Sequence, residues 1–304
     1  MSTNGLLWLK DRGNAMRKTM GYLVLNNERI AENCHRLALE ISKDHLPPIP
    51  GQFYNIRCNG KTDPLLRRPF SMHRLTREDG ILCLQILYRL VGKGTEWLSC
   101  RKAGEALDLI GPLGNGFILN AQNDVVLAAR GIGIAPLVAV AEAVRSMAPE
   151  SRLHILMGAR LKERVIYQEE LRRLGTLHLY TDDGSLGFHG RAPELLLHLL
   201  ETGKVPPTCS VYACGPGPML LDLAALSQLF GFEGQVALET HMGCGFGACL
   251  SCAIPLRPSL IKKTALWQKP ALQWSEDGST CYSLICKDGP IYDIREVDWN
   301  EWLA

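Results

Sequence analysis

The sequence has no long apolar run, no excess of one charge, and no repeated or low-complexity tract. Its 33 basic and 31 acidic residues are mixed along the chain and leave a net charge of +2, so no basic block favours nucleic acid or an anionic lipid surface. Residues 5–9 form an apolar run that is too short for a signal-peptide core or a membrane span. We therefore expect neither nucleic acid nor a membrane as a partner, and we interpret residues 1–18 as a tail.

Cysteine, in contrast, is abundant, with eleven residues in a chain of 304. Several of these cysteines, such as Cys83 and Cys209, fall within apolar, strand-like segments. An odd number of scattered thiols suits a reducing compartment better than the disulfide framework of a secreted protein. We therefore expect a cytoplasmic protein.

Three of the cysteines have a spacing that is informative by itself. Cys244, Cys249 and Cys252 follow the pattern C-x4-C-x2-C, which is typical of plant-type 2Fe-2S clusters, and the intervening small residues let main-chain amides wrap closely around an inorganic core. A four-cysteine zinc site is the alternative, although zinc ligands more often come as two C-x2-C pairs. The fourth ligand is Cys281 or Cys286, and spacing alone does not choose between them.

Hydrophobic patterning divides the rest of the chain into an antiparallel β-barrel and a parallel α/β domain. Short strand-like segments, separated by Pro, Gly, Asn and Asp, indicate a barrel over residues 19–120; we predict its strands at 22–25, 34–41, 52–57, 81–89 and 106–110. Strands that alternate with helices indicate a nucleotide-binding α/β domain over residues 121–234; we predict its strands at 124–129, 152–158, 176–181 and 210–213. Residues 235–304 lack long periodic runs and contain the cysteine loop, so we interpret them as a small module held together by its cofactor.

Two places in the barrel segment can contact a phosphate-bearing cofactor. In the first, at 67–71, arginine side chains can bind a diphosphate and a serine hydroxyl can contact the edge of a flavin. In the second, a strand ends at 87–89 and a Gly-rich helix start follows at 92–95, where main-chain amides can bind a phosphate. A solvated surface arginine and a barrel-wall aromatic at Tyr88 are the alternatives. The segments that supply these groups are Arg67–Ser71, Leu87–Arg89 and Gly92–Thr95.

The α/β segment has two strand-to-helix turns of the kind that bind dinucleotides. Gly131 and Gly133 directly follow a predicted strand, where glycines let a diphosphate approach, and Pro136 makes the motif G-x-G-x-x-P, which points to a nicotinamide-binding fold other than the ordinary Rossmann type. Cys214 and Gly215 begin the second turn, at a strand end where open α/β sheets place ligands. Cys214 would face the nicotinamide, or else it is a small buried residue that closes its strand.

Taken in order, the motifs R-P-F-S, L-Y-R, G-K-G-T, G-I-G-I-A-P, C-G-P-G-P-M and the cysteine loop resemble the ferredoxin-NADP reductase superfamily. The segment 284–292 narrows the resemblance to the electron transfer subunits of dihydroorotate dehydrogenase B, and it selects Cys286 as the fourth ligand; T-D-D-G-S at 181–185 also fits this group. Two features depart from the family: Arg130 stands where glycine is usual, and the stretch from Pro255 to Ser279 is longer than expected.

The resemblance implies a ferredoxin-NADP reductase-like fold, with an FAD-binding barrel, an NAD-binding α/β domain and a C-terminal 2Fe-2S module. It implies a nicotinamide nucleotide near Gly131, Gly133, Pro136 and Cys214, and a cluster on Cys244, Cys249, Cys252 and Cys286. The residues at which it implies FAD are Arg68, Pro69, Phe70, Ser71, Leu87, Tyr88, Arg89, Gly94 and Thr95. It also implies electron transfer to NAD from a catalytic FMN-containing dihydroorotate dehydrogenase subunit, in a heterotetramer that serves pyrimidine biosynthesis. No side chain is expected to act as a catalytic acid or base. NADP stays open as the nucleotide, because Arg160, Lys162 and Arg164 follow the second strand of the α/β domain.

Two other functions stay open at this point. One is an NAD(P)H-oxidising flavin and iron-sulfur subunit of another redox complex, of the sulfhydrogenase or ferredoxin-NADP transhydrogenase type. The other, of a different class, is a non-catalytic zinc-binding adaptor that keeps the fold without its flavin.

Overall fold

The structure is a computed structural model, and it describes residues 20–42, 47–60, 62–78, 80–121, 124–260, 273–276, 278 and 280–304. The tail that we expected over residues 1–18 lies outside this range. So does a large part of the long stretch between Pro255 and Ser279. In the described residues, no helix is long and apolar enough to cross a membrane.

A closed six-stranded barrel forms the first part of the fold, with its strands in the order β1-β2-β5-β4-β3-β6. Every pair of neighbouring strands is antiparallel. Alternate residues of β2 point inward, and Leu37 and Leu39 are fully buried, as a half-buried strand requires. The barrel elements are β1 (Met20–Ala31), β2 (Cys34–Ile41), β3 (Phe53–Ile56), β4 (Arg68–Glu78), β5 (Ile81–Arg89), α1 (Lys93–Ser99) and β6 (Ala106–Leu113).

The second part is a seven-stranded sheet in the order β10-β9-β8-β7-β11-β12-β16. All its neighbouring pairs are parallel except β12 with β16. The chain runs outward from β7 in one direction and then returns to its other side at β11, so the sheet has its topological switch point between these two strands. The elements are β7 (Val125–Arg130), α2 (Ile134–Met147), β8 (Leu153–Ala159), α3 (Gln168–Leu174), β9 (Thr176–Thr181), β10 (Phe188–His189), α4 (Ala192–Glu201), β11 (Ser210–Cys214), α5 (Gly217–Phe230) and β12 (Glu233–Ala237).

The C-terminal part is divided between two sheets. A three-stranded antiparallel sheet has the order β13-β15-β14, and β16 adds to the edge of the large sheet beside β12. The elements are β13 (Ala253–Leu256), β14 (Gln273–Trp274), β15 (Cys281–Leu284), α6 (Ile285–Asp288), β16 (Ile291–Asp293) and α7 (Trp299–Leu303). The predicted fold class is therefore confirmed. The domain bounds stay a prediction, and β12 crosses the predicted bound at residue 234.

Buried polar contacts fix the barrel against the α/β part. His73 of β4 has no exposed surface, and its Nδ1 lies 2.9 Å from the carbonyl oxygen of Ala135. Its Nε2 lies 3.2 Å from the hydroxyl of Tyr167, and Arg74 Nε donates to Glu142 at 2.6 Å. Burial lowers the pKa of His73 to about 3, so the imidazole is neutral in the folded protein. The first turn of α2 is thus held directly against the barrel.

Candidate functional site

The cysteine loop turns main-chain amides toward sulfur. Cys244 Sγ accepts from the amides of Ala248, at 3.2 Å, and Cys249, at 3.4 Å, and Cys249 Sγ accepts from the amide of Cys244 at 3.4 Å. The hydroxyl of Ser251 lies 3.1 Å from Cys249 Sγ, and this hydrogen bond lowers the pKa of Cys249 to about 6. Such a loop favours thiolates, the form of cysteine that binds metals.

The other two predicted ligands make a second pair. A hydrogen bond between the thiols of Cys252 and Cys286 lowers the pKa of Cys252 to about 6 and raises the pKa of Cys286. Cys281, the competing candidate, is buried elsewhere in β15, with its Sγ 3.6 Å from the carbonyl oxygen of Leu256. The structure therefore brings Cys286, and not Cys281, to the cysteine loop.

Two pairs of thiols suit a two-iron core, in which each iron takes two protein ligands. A single zinc ion needs its ligands around one point. The arrangement of the donors thus fits a 2Fe-2S cluster better than zinc.

A barrel side chain that the sequence did not single out connects the cysteine loop to the barrel. Asn55 of β3 is 1% exposed, and its Nδ2 donates to the carbonyl oxygen of Cys244 at 3.3 Å. Gly245 has a φ of +80°, and a Cβ there would lie 2.2 Å from Asn55 Nδ2, so the approach requires glycine. Asn55 also pairs with Pro69 across β3 and β4. The loop is therefore one strand away from the candidate flavin motif.

The flavin candidates on β4 are half-buried and meet the start of α1. A Cβ at Gly94 would lie 3.3 Å from both Cγ and Nε of Arg68, so the arginine lies against the Gly-rich turn, as a shared diphosphate site needs. Arg67 is occupied by an ion pair with Asp108 at 2.7 Å. Pro69, Phe70 and Ser71 continue along the same strand.

The remaining barrel candidates are placed less directly. Tyr88 is 1% exposed, and its hydroxyl donates to Asn27 Oδ1 at 3.0 Å inside the barrel, so it can meet a cofactor only through its main chain. The hydroxyl of Thr95 accepts from the amide of Gly92 at 3.2 Å and therefore shapes the turn itself. Leu87 is buried against the α/β part, and Arg89 is exposed at the strand end.

The two predicted nucleotide turns touch at the carboxyl edge of the sheet, where β7 and β11 end. A Cβ at Gly133 would lie 2.3 Å from the carbonyl oxygen of Cys214, so only glycine allows these turns to pack. Gly131 has open space in front of it, and Pro136 is buried in the first turn of α2. Cys214 is 1% exposed, and burial raises its pKa well above the ordinary value.

Two charged residues lie at this edge: Arg130, to which the sequence analysis assigned no role, and Glu239, which it did not identify. Arg130 forms a two-point ion pair with Asp182, with Nη1 to Oδ1 at 2.7 Å. Glu239 follows β12, near Cys214 and Arg89. Desolvation of its carboxyl raises its pKa and the positive charge of Arg89 opposes this shift, although the residue as a whole is exposed. T-D-D-G-S was a signal for Asp182, whereas no sequence pattern identified Glu239.

Comparisons with known proteins identify the family of this chain. The profile of the iron-sulfur cluster binding domain of dihydroorotate dehydrogenase B matches residues 239–263, and that of the oxidoreductase NAD-binding domain matches residues 127–224. The chain is 35% identical over 287 residues to the dihydroorotate dehydrogenase B (NAD(+)) electron transfer subunit of Desulforamulus reducens, covering 94% of this chain and 100% of that one. The corresponding subunit of Caldanaerobacter subterraneus is 35% identical, covering 93% and 99%.

Solved structures give the same fold. A chain of an NADH-dependent reduced ferredoxin-NADP oxidoreductase is 26% identical, with a TM-score of 0.74 over 95% of this chain and 93% of that one. A ferredoxin NADP+ reductase from Neisseria gonorrhoeae is 17% identical, with a TM-score of 0.60 over 73% and 99%, and shows the fold alone. The chain is an oxidoreductase subunit, and it belongs to the family of dihydroorotate dehydrogenase B electron transfer subunits.

Proposed function

We propose that this chain passes electrons between a partner FMN dehydrogenase, which oxidises dihydroorotate for pyrimidine biosynthesis, and NAD. The electrons travel through a 2Fe-2S cluster and FAD held by this chain. One observation carries the proposal: Asn55 joins the cysteine loop to the strand that pairs with the R-P-F-S motif, so a cluster and a flavin held by these two motifs would both lie next to β3. When bound, FAD exchanges a hydride with nicotinamide and single electrons with an iron-sulfur centre.

The cluster ligands that we propose are Cys244, Cys249, Cys252 and Cys286. Their arrangement as two pairs supports a two-iron core, and the main-chain amides directed at the sulfurs of Cys244 and Cys249 support thiolate ligands.

FAD would lie along β4 and the ends of β5 and α1. Arg68 and the Gly94 turn would bind its diphosphate, because they are already in contact and a guanidinium fork matches phosphate oxygens. The residues that we propose at this site are Arg68, Pro69, Phe70, Ser71, Leu87, Tyr88, Arg89, Gly94 and Thr95.

The nicotinamide nucleotide would bind across the carboxyl edge of the large sheet. Gly131, Gly133, Pro136, Cys214 and Gly215 form its two turns, and the contact between them supports a single site at the topological switch point. We favour NAD over NADP, since the names of the relatives specify NAD(+).

The cysteine loop also presents the surface that we propose for the partner. Phe246 and Leu250 are 52% and 45% exposed, and apolar side chains on an exposed loop favour a protein contact. We propose that this chain and the FMN subunit form a heterotetramer. We also place the chain in the cytoplasm, which its eleven free cysteines support.

Anaerobic stopped-flow spectroscopy tests this function. The purified chain is mixed with NADH and, separately, with dihydroorotate in the presence or absence of the FMN subunit. We expect NADH to bleach the flavin and cluster bands, and dihydroorotate to bleach them only when the FMN subunit is present. No response to dihydroorotate with that subunit would contradict the pyrimidine role.

A second candidate has specific support. The similarity to a chain of the NADH-dependent reduced ferredoxin-NADP oxidoreductase extends over 95% of this chain, which favours a role in a ferredoxin-linked complex. Bleaching by NADH but not by dihydroorotate would favour this candidate. A colourless chain with bound zinc would instead indicate the adaptor.

A further inference from the structure

Arg130 lies at the centre of the nucleotide edge. It ends β7 directly before the turn Gly131–Gly133, and a Cβ at Gly215 of the second turn would lie 3.4 Å from Arg130 Cβ. Both turns that we assign to the dinucleotide therefore border this one side chain.

From there the side chain crosses the end of β8. Asp182 follows β9, and its amide donates to the carbonyl oxygen of Ala159 at 3.3 Å, which fixes its position beside β8. Arg130 meets the carboxylate with two hydrogen bonds, and the two side chains are 22% and 32% exposed. The guanidinium thus extends along the edge from the switch point toward β9, and it stays accessible.

The pair leaves donors on the guanidinium. Arginine has five N–H donors, and a two-point contact through Nη1 and Nη2 uses two of them, so Nε and the outer N–H groups stay available. The neighbouring cation, Arg191, is already shared between Glu194 at 2.9 Å and Asp222 at 3.0 Å. A dianionic diphosphate at the glycine turns would otherwise lie close to the carboxylate of Asp182 without a compensating charge.

We propose that Arg130 binds the diphosphate of the dinucleotide and that Asp182 holds the guanidinium along the sheet edge for this purpose. The inference rests on the proposed function, because it assumes a nicotinamide dinucleotide at the two glycine turns. The proposal assigns a role in binding to the arginine that stands where the sequence analysis expected glycine.

Calorimetric titration of the full-length protein with ADP-ribose tests this role. ADP-ribose contains the diphosphate but no nicotinamide, so its binding does not depend on electron transfer. Arg130→Gln removes the charge, Arg130→Lys keeps the charge without the fork, and Arg172→Gln is the matched control. Arg172 loses the same charge on the surface of α3, where it pairs with Glu169.

We expect Arg130→Gln to weaken ADP-ribose binding by about tenfold to a hundredfold, the range for a charge-assisted contact, with a flatter dependence on salt. Arg130→Lys recovers part of the affinity, and Arg172→Gln binds like the wild type. Equal affinities of Arg130→Gln and Arg172→Gln would overturn the role of Arg130 and leave the proposed function standing. A wild-type protein that does not bind ADP-ribose would overturn the nucleotide site itself, and this inference with it.

Discussion

Replacing Gly133 by alanine should separate the two nucleotide turns without straining the backbone. Gly133 has φ −58° and ψ −11°, a helical conformation that alanine adopts freely, so only the new methyl group matters. Its Cβ would lie 2.3 Å from the oxygen and 2.8 Å from the carbon of the Cys214 carbonyl. An ordinary contact needs roughly 3.5 Å, so the turns must move apart by about 1 Å.

The strands below allow little of this movement. Ala129 and Cys214 are partners in the β7–β11 ladder, whose spacing of about 4.8 Å is set by main-chain hydrogen bonds. We expect the free energy of unfolding to fall by about 1–3 kcal/mol, the usual cost of overpacking. A displacement of about 1 Å at the nucleotide should slow reduction by NADH by up to about a hundredfold.

Chemical denaturation and anaerobic stopped-flow reduction by NADH measure these two effects. Gly60→Ala is the control, because a Cβ there meets nothing within 4 Å. If Gly133→Ala retains both the stability and the reduction rate of the wild type, the two turns do not form the nucleotide site and the reasoning is refuted.

Three further predictions concern the cluster and the domain interface. Cys286→Ala should lose cluster iron and its visible absorption, whereas Cys281→Ala should keep both; equal iron contents would refute the choice of ligand. Asn55→Ala removes the hydrogen bond to Cys244, worth about 1 kcal/mol, and should slow electron transfer between flavin and cluster at unchanged flavin content; an unchanged rate in freeze-quench experiments would argue against the link. His73 has its pKa lowered from 6.5 to about 3, so the unfolded chain binds the proton first as pH falls. Its contribution to stability should decline by up to about 1.4 kcal/mol per unit below pH 6.5, and denaturation curves of His73→Gln that match the wild-type pH dependence would contradict this.

The regular elements were predictable because their hydrophobic periods are local. The segments predicted at 34–41, 81–89 and 176–181 coincide with β2, β5 and β9. β4 was missed as a strand because we interpreted its first residues only as a cofactor motif. β16 has only three residues, which is too short for a recognisable hydrophobic period, and it forms by pairing with the edge of β12. The local sequence therefore does not predict it.

The parts of the candidate site that lie within one short motif could be predicted from the sequence. The contacts between residues that are far apart in the sequence could not. The cysteine spacing and the glycine turns lie in continuous sequence. Asn55 and Cys244 are 189 positions apart, and Arg130 and Asp182 are 52 apart. Such contacts depend on how the barrel, the sheet and the loop pack together, which periodicity and turn chemistry do not specify.

We propose that this chain connects a nicotinamide site to an iron-sulfur cluster through a flavin beside β3. Freeze-quench electron paramagnetic resonance after anaerobic mixing of the full chain with NADH measures this connection. We predict that a reduced 2Fe-2S signal grows in step with the bleaching of the flavin, without any partner protein. Flavin that is reduced while the cluster stays oxidised, or a protein without a cluster signal under any reductant, would rule out this path for the electrons.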